Sequence, residues 1–392
     1  MIVFLCLCDL GRFRGKEVAE TKIAIGMDLH AATAVCYAVF AGEGEPRESH
    51  REFLEEFNRK HRTQASGPEE MAAIATTLKG HEAYVLIENS TKTYDTYWVL
   101  TNLGVNVVVA QARDLYRITK SVKKTDKNDS VELAGYMRRY IGGEREFAVC
   151  TMPPHEWMMK REICRTLFKE KQHLGDLKRR MRAHLLLHGI KLSREYSDIF
   201  SKKAMAELAR LDDVCVKMML NEAAGLKRRT EEEARYIEHM FTGTRLFELI
   251  YSIPGFGSIS AAYLTSMIMD MDRFQNRNAF TAYFGIVPKM RESADTTHNC
   301  GTTHRGDEEV RRLLMQAAFV HCQHADSVVT AMWKRLRNRG KAHREVQVAC
   351  ARKLLTMVWS VVVNDRPYVE DMDELKAARL EADALTEENT DL

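Results

Sequence analysis

Two consecutive prolines, Pro153 and Pro154, separate stretches of different periodicity that one regular fold cannot accommodate. Ahead of them, KIAIGMDLH from residue 22 and TAVCYAVF from residue 33 carry the two-residue period of strands joined by a tight turn. REFLEEF, after the turn-rich AGEGEPRES, is expected as a third strand of the same antiparallel meander. GPEEMAAIATTLKG has helical spacing, YVLIEN reads as a buried strand, TYDTYWVLTNLG as a helix closed by Gly104, and NVVVA as a short buried strand. Strands that pair first as hairpins and later through helices predict an α/β domain, a mixed sheet with helices on its faces. Thr125 stands where it would cap a helix running to about Tyr140.

Beyond the prolines, residues 155–240 are charged, contain Leu and Met, and have few turn residues. This predicts two or more long helices, with a coiled-coil hairpin as one arrangement. From Leu246 the glycine turn IPGFG separates two helical stretches, AYFGIVP follows, a polar loop is expected over 289–306, and helices run to about Asn364. The expected divisions are an N-terminal extension (1–21), an α/β domain (22–150), a coiled-coil-like helical connector (151–245), a mostly α C-terminal domain (246–366) and an acidic, frayed tail (367–392).

A chain of 392 residues exceeds one ordinary core, and 45% hydrophobic with 29% charged residues is a globular composition. The net charge of +3 hides basic stripes at 113–127, 169–182 and 335–352, which suit phosphates. Arg113, Lys120, Lys123, Lys124 and Lys127 belong to the first stripe. The nine cysteines form no CxxC pair and are odd in number, as expected of reduced thiols and not of a disulfide framework. The opening MIVFLCLC precedes its basic residues, the reverse of a secretory signal, and no stretch approaches the ~20 apolar residues of a bilayer span. The expectation is a cytoplasmic protein with no membrane partner and a dispensable start.

Four carboxylates stand out. Asp28 ends the first strand and Glu88 ends YVLIE, so both project from the carboxyl edge of one sheet. Asp126 and Asp129, three apart at a helix start, share one face. Such a set can hold two hard divalent ions by oxygen ligation, as in phosphoryl transfer. On spacing alone, Asp28 also fits a turn residue, and Asp126 fits a first-turn acid favoured by the helix dipole.

IGMDLH, VLIEN and KKTDKNDSVELA, with GVNVVVAQARDLYRITKS between the last two, resemble in order and separation the DEDD signature of the insertion sequence 110 family of transposases, which includes pilin-gene invertases. IPGFG, then GIVP, then ESADTTHNCGTTHRGD resemble that family's second conserved block, and the two blocks cover about residues 22–140 and 247–360. The resemblance implies an RNase H-like (RuvC-like) N-terminal domain whose Asp28, Glu88, Asp126 and Asp129 bind Mg²⁺, with Mn²⁺ as the alternative ion. It also implies a serine nucleophile forming a phosphoserine link to DNA. Ser293 is the only Ser in the corresponding loop, although Ala294 and Asp295 follow it where the family has Gly and Lys. The implied partners are donor and target DNA, a structured guide (bridge) RNA, and further copies of the chain as a dimer or tetramer.

Other contacts follow from the residues. Gly255 and Gly257 leave backbone amides free to meet a phosphate at a helix start. Arg305, Arg311 and Arg312 suit phosphates or a solvated helix, and Trp333 suits a stacked base or a core anchor. His298, Cys300 and His304 lack a fourth ligand at zinc spacing. Two other readings stay open: a metal-only RuvC-like junction nuclease, and a degenerate nucleic-acid-binding protein.

Overall fold

A computed structural model describes residues 22–112, 114–115, 126–286, 288–293, 296–302 and 306–369, with backbone alone over 288–302. The predicted cap Thr125 and the cations Arg113, Lys120, Lys123, Lys124 and Arg305 lie outside the described residues, as do His304, the N-terminal extension and most of the acidic tail. The chain divides into two compact units, Met1–Met152 and Pro153–Leu392.

The first unit is built on a five-stranded sheet in the order β3-β2-β1-β4-β5, formed by β1 (Lys22–Leu29), β2 (Thr33–Phe40), β3 (Thr63–Ala65), β4 (Glu82–Glu88) and β5 (Asn106–Ala110). β1 pairs antiparallel with β2 and parallel with β4, and β4 pairs parallel with β5. The expected mixed sheet is therefore present. Its third strand is not REFLEEF, which lies in helix α1 (Glu48–Lys60); β3 is a three-residue edge strand instead. Phe53, Leu54 and Phe57 fall on one side at helical spacing and pack against the sheet beside α2 (Pro68–Thr77) and α3 (Thr93–Asn102), a burial that a solvated edge strand could not provide.

On the other face lies α4 (Asp126–Ile141), whose Leu133, Tyr136 and Met137 pack with Ala24 of β1 and Leu86 of β4. The approach depends on Gly26. A Cβ there would run into the backbone of Ser130 and Ala134 and the side chain of Leu133. Gly26→Ala should lower the stability of this unit by about 2–3 kcal/mol through overpacking, measured as a fall in its urea midpoint; an unchanged midpoint would refute the close docking.

The second unit opens with α5 (His155–Leu187) and α7 (Val214–Phe241), joined through the short α6 (Lys202–Leu208). Glu170 faces Arg229 (3.1 Å), Arg180 faces Glu222 (3.9 Å) and His184 faces Asp213 (2.9 Å), so the two long helices run antiparallel. Val216, Met219, Ala223, Leu226 and Thr230 are buried at alternating three- and four-residue steps, a coiled-coil seam. The base of this hairpin shares one core with α8 (Arg245–Tyr251), α9 (Ser258–Ile268), α10 (Arg277–Tyr283), α11 (Glu308–His324), α12 (Val328–Asn338) and α13 (His343–Val363). Among the described residues α13 is long and apolar enough to cross a bilayer, contrary to the expectation that no stretch approaches that length. Its Val346, Cys350, Leu354, Leu355 and Val358 are fully buried in this core, which accounts for their hydrophobicity. The expected polar loop contains an antiparallel hairpin of β6 (Pro288–Ser293) and β7 (Thr296–Thr302). Backbone pairing satisfies amides that a free loop would leave to water.

Candidate metal centre and nucleic-acid surfaces

Asp28 and Glu88 are brought side by side by register. Met27 pairs with Ile87 in the parallel β1–β4 ladder, and each acid is the next residue along its strand. Because side chains alternate, Asp28 shares a face with Ala24 and Gly26, and Glu88 with Leu86. That is the face covered by α4, whose first turn carries Asp126 and Asp129. All four acids predicted from sequence thus face the same end of one sheet–helix interface. Asp28, His30 and Asp126 form a tight group with ligand atoms within 4.8 Å of one another; Glu88 and Asp129 are not members of it. His30 Nε2 lies 3.4 Å from Asp28 Oδ2 and 3.3 Å from Asp126 Oδ2. Sequence reasoning missed His30, whose signal was its position two residues after Asp28.

The first turn of α4 is pinned by Arg62. Its guanidinium donates to the carbonyls of Lys127 (2.8 Å) and Cys36 (3.1 Å) and to Ser130 Oγ (3.2 Å), and stacks over Tyr37. A cation that ties β2 to this turn holds Asp126 and Asp129 at the sheet edge. Lys127, a predicted phosphate contact, is exposed beside them. Burial in the core on the opposite face of the sheet pushes the Cys36 thiol up to about 12, so it stays protonated and takes no part in this group. Hard carboxylate oxygens from a strand edge and a helix start fit a divalent cation of the Mg²⁺ class.

In the second unit a cleft of about 950 Å³ lies between α5, the start of α9 and α11. Lys169, Lys171, Arg179 and Arg312 line it, together with Gly255, Gly257 and Ser258. Gly255 has φ +98° and presses against Ala317 and His321 of α11, so its first role is packing. Gly257 has open space around it and precedes α9, which has no side-chain cap, so the amides at that helix start face the cleft. His321 donates from Nδ1 to the Pro254 carbonyl (2.7 Å), because a carbonyl only accepts; Nε2 then accepts from Ser327 Oγ (2.7 Å). This locks the glycine turn onto α11. Arg312 pairs with Glu309, Arg311 donates to the Gly306 carbonyl (2.9 Å), and Trp333 meets Phe319 and His343 edge-on against the core. Trp333 is therefore an anchor.

The cleft wall is braced by Asp307. Its Oδ2 accepts from Arg165 (2.9 Å) and Tyr263 (2.9 Å), and its Oδ1 caps α11 through the amides of Glu309 and Val310. Burial alone would raise this carboxyl, but Arg165, the Val310 amide and the Tyr263 hydroxyl outweigh it and hold the group below its ordinary range. A depressed folded value means the stabilisation is complete above the unfolded value near 4 and is lost as pH falls through the folded one. Asp307→Ala should cost about 3 kcal/mol at pH 7, and its urea midpoint should fall less than the parent's between pH 5 and pH 2. A variant as acid-sensitive as the parent would remove Asp307 from this role.

Residues 247–334, which include the glycine turn, the α9 and α11 walls of the cleft and the β6–β7 hairpin, match the family model described as Transposase IS116/IS110/IS902 family. Over these residues the chain is similar to that family. It is similar to the transposase for insertion sequence element IS1328 of Yersinia enterocolitica, 27% identical over 46% of this chain and 56% of that protein, so the match spans about half the relative's length. The pilin gene-inverting protein of Moraxella bovis is 24% identical over 64% of this chain and 70% of its own. The IS900 42 kDa protein of Mycobacterium paratuberculosis is 27% identical over 39% of this chain and 38% of its own. Ser293 ends β6, paired with Thr296, and His298 and Cys300 lie on β7.

Proposed function

We propose that this chain is a member of that family and cuts and rejoins DNA as the recombinase of an insertion sequence. The observation that carries this reading is the close group of Asp28, His30 and Asp126, with Glu88 at the end of the neighbouring strand and Asp129 in the same helical turn as Asp126, in a chain whose relatives are named as transposases and gene-inverting proteins. The strand order, with β2 antiparallel in an otherwise parallel central set, accords with an RNase H-like (RuvC-like) domain. The four carboxylates would hold Mg²⁺, which when bound neutralises charge on the phosphate and lowers the pKa of an attacking hydroxyl. The chain's own residues supply the rest. Arg62 orients the first turn of α4, and the cleft cations with the uncapped start of α9 grip the phosphate backbone. Ser293 Oγ attacks phosphorus, its proton leaves to a base or water, and a sugar hydroxyl is displaced. The phosphodiester energy is kept in a phosphoserine link that a second sugar hydroxyl reverses, releasing Ser293.

The same reading includes donor and target DNA, a guide RNA from the element and a dimer or tetramer, since bringing two duplexes together needs more than one copy. The far end of the long hairpin supports self-association: Leu186, Leu187, Val214 and Met218 are 83%, 80%, 71% and 68% exposed there. The test incubates the full-length protein with a plasmid carrying the element's ends, with and without RNA transcribed from its non-coding flank, in Mg²⁺. Recombinant junctions are the expected product. Binding without cutting in every condition would leave a nucleic-acid-binding protein instead.

A further inference from the structure

We infer that His30 is itself a ligand of the ion held at the end of β1, and that its nitrogen tilts the site towards Mn²⁺ over Mg²⁺. The inference rests on the carboxylate site proposed above and goes beyond it by changing the donor set. His30 follows Asp28 by two residues, and its backbone N–H donates to the Thr33 carbonyl (2.8 Å), so the β1–β2 turn fixes where the imidazole starts. Nε2 then sits 3.4 Å from Asp28 Oδ2 and 3.3 Å from Asp126 Oδ2. Both separations exceed the 2.7–3.2 Å usual for a directed N–H···O bond. They lie near the edge of a coordination octahedron, since two donors at right angles around an ion at roughly 2.1 Å are about 3 Å apart. His30 and Asp126 are 46% and 62% exposed and Asp28 17%, so an ion reaches the group from the side of His30 and Asp126.

The ligand chemistry sets the selectivity. An all-carboxylate site suits Mg²⁺ and Mn²⁺ alike, whereas one imidazole favours the borderline transition ion, as Mg²⁺ takes oxygen almost exclusively. The alternative is that His30 is only a neighbour, or a cation that competes with the metal. Removing it would then leave metal affinity unchanged or improve it.

The experiment titrates Mn²⁺ into the full-length protein by calorimetry and electron paramagnetic resonance, alone and against Mg²⁺, for the parent, His30→Ala, His30→Asp and Asp28→Asn. Circular dichroism confirms that each variant is folded. The expected results are a loss of about tenfold or more in Mn²⁺ affinity for His30→Ala, a smaller loss for Mg²⁺, and recovery of binding with a preference shifted to Mg²⁺ in His30→Asp. Spin-echo modulation from ¹⁴N should be present in the parent and absent in His30→Ala. Unchanged or tighter Mn²⁺ binding by His30→Ala, with Asp28→Asn still impaired, overturns the role of His30 and leaves the carboxylate reading standing. Full affinity in Asp28→Asn overturns both.

Discussion

Asp28→Asn is expected to reduce DNA cutting and joining by roughly a thousandfold, about 4 kcal/mol of transition-state stabilisation, while the protein stays folded. The substitution keeps the shape of the side chain and removes one charged oxygen from the ion's shell. Asp28 sits at a strand end whose core contacts are made by Met27 and Leu29. Glu88→Gln, Asp126→Asn and Asp129→Asn should act in the same direction, because the four acids share one end of the sheet–helix interface. Asp126 and Asp129 should be sensitive to Arg62 as well, since that guanidinium holds their turn. The measurement is a single-turnover cutting assay in Mg²⁺ beside a thermal melt of each variant. Near-parental activity in any two of the four would dissolve the proposed tetrad.

The second large effect concerns the nucleophile. Ser293→Ala should bind DNA and RNA as the parent does, form no covalent adduct, and lose cutting by three orders of magnitude or more, again roughly 4 kcal/mol. A suicide substrate followed by peptide mass spectrometry maps the modified residue. The structure narrows the rivals near the glycine turn. Ser252 Oγ donates to the Leu249 carbonyl and accepts from the Tyr368 amide, and Ser260 Oγ donates to the Gly257 carbonyl. Ser258, at the start of α9 and facing the basic cleft, is the remaining candidate. An adduct on Ser258 would move the chemistry to the cleft. Clean hydrolytic ends with no adduct would favour a metal-only nuclease.

Strands β1, β2, β4 and β5, the closure of α3 by Gly104 and the long α5–α7 hairpin were legible in the sequence, because hydrophobic period, turn residues and a change of texture at Pro153 are local properties. So were the strand-end positions of Asp28 and Glu88 and the first-turn positions of Asp126 and Asp129, since strand ends and first helical turns can be placed from periodicity alone. REFLEEF misled because its Phe53, Leu54 and Phe57 fit both a half-buried strand and one face of a helix, and only the sheet it packs on decides between them. The β6–β7 hairpin escaped because its pairing partner, not its polar composition, makes it a sheet. Tertiary structure alone decided that His30 meets Asp126, that Gly26 must lack a side chain for α4 to dock, and that Arg62 reaches Lys127 and Ser130. Each joins residues far apart in the chain across a packed interface, where a few tenths of an ångström determine contact and no local period records the neighbour.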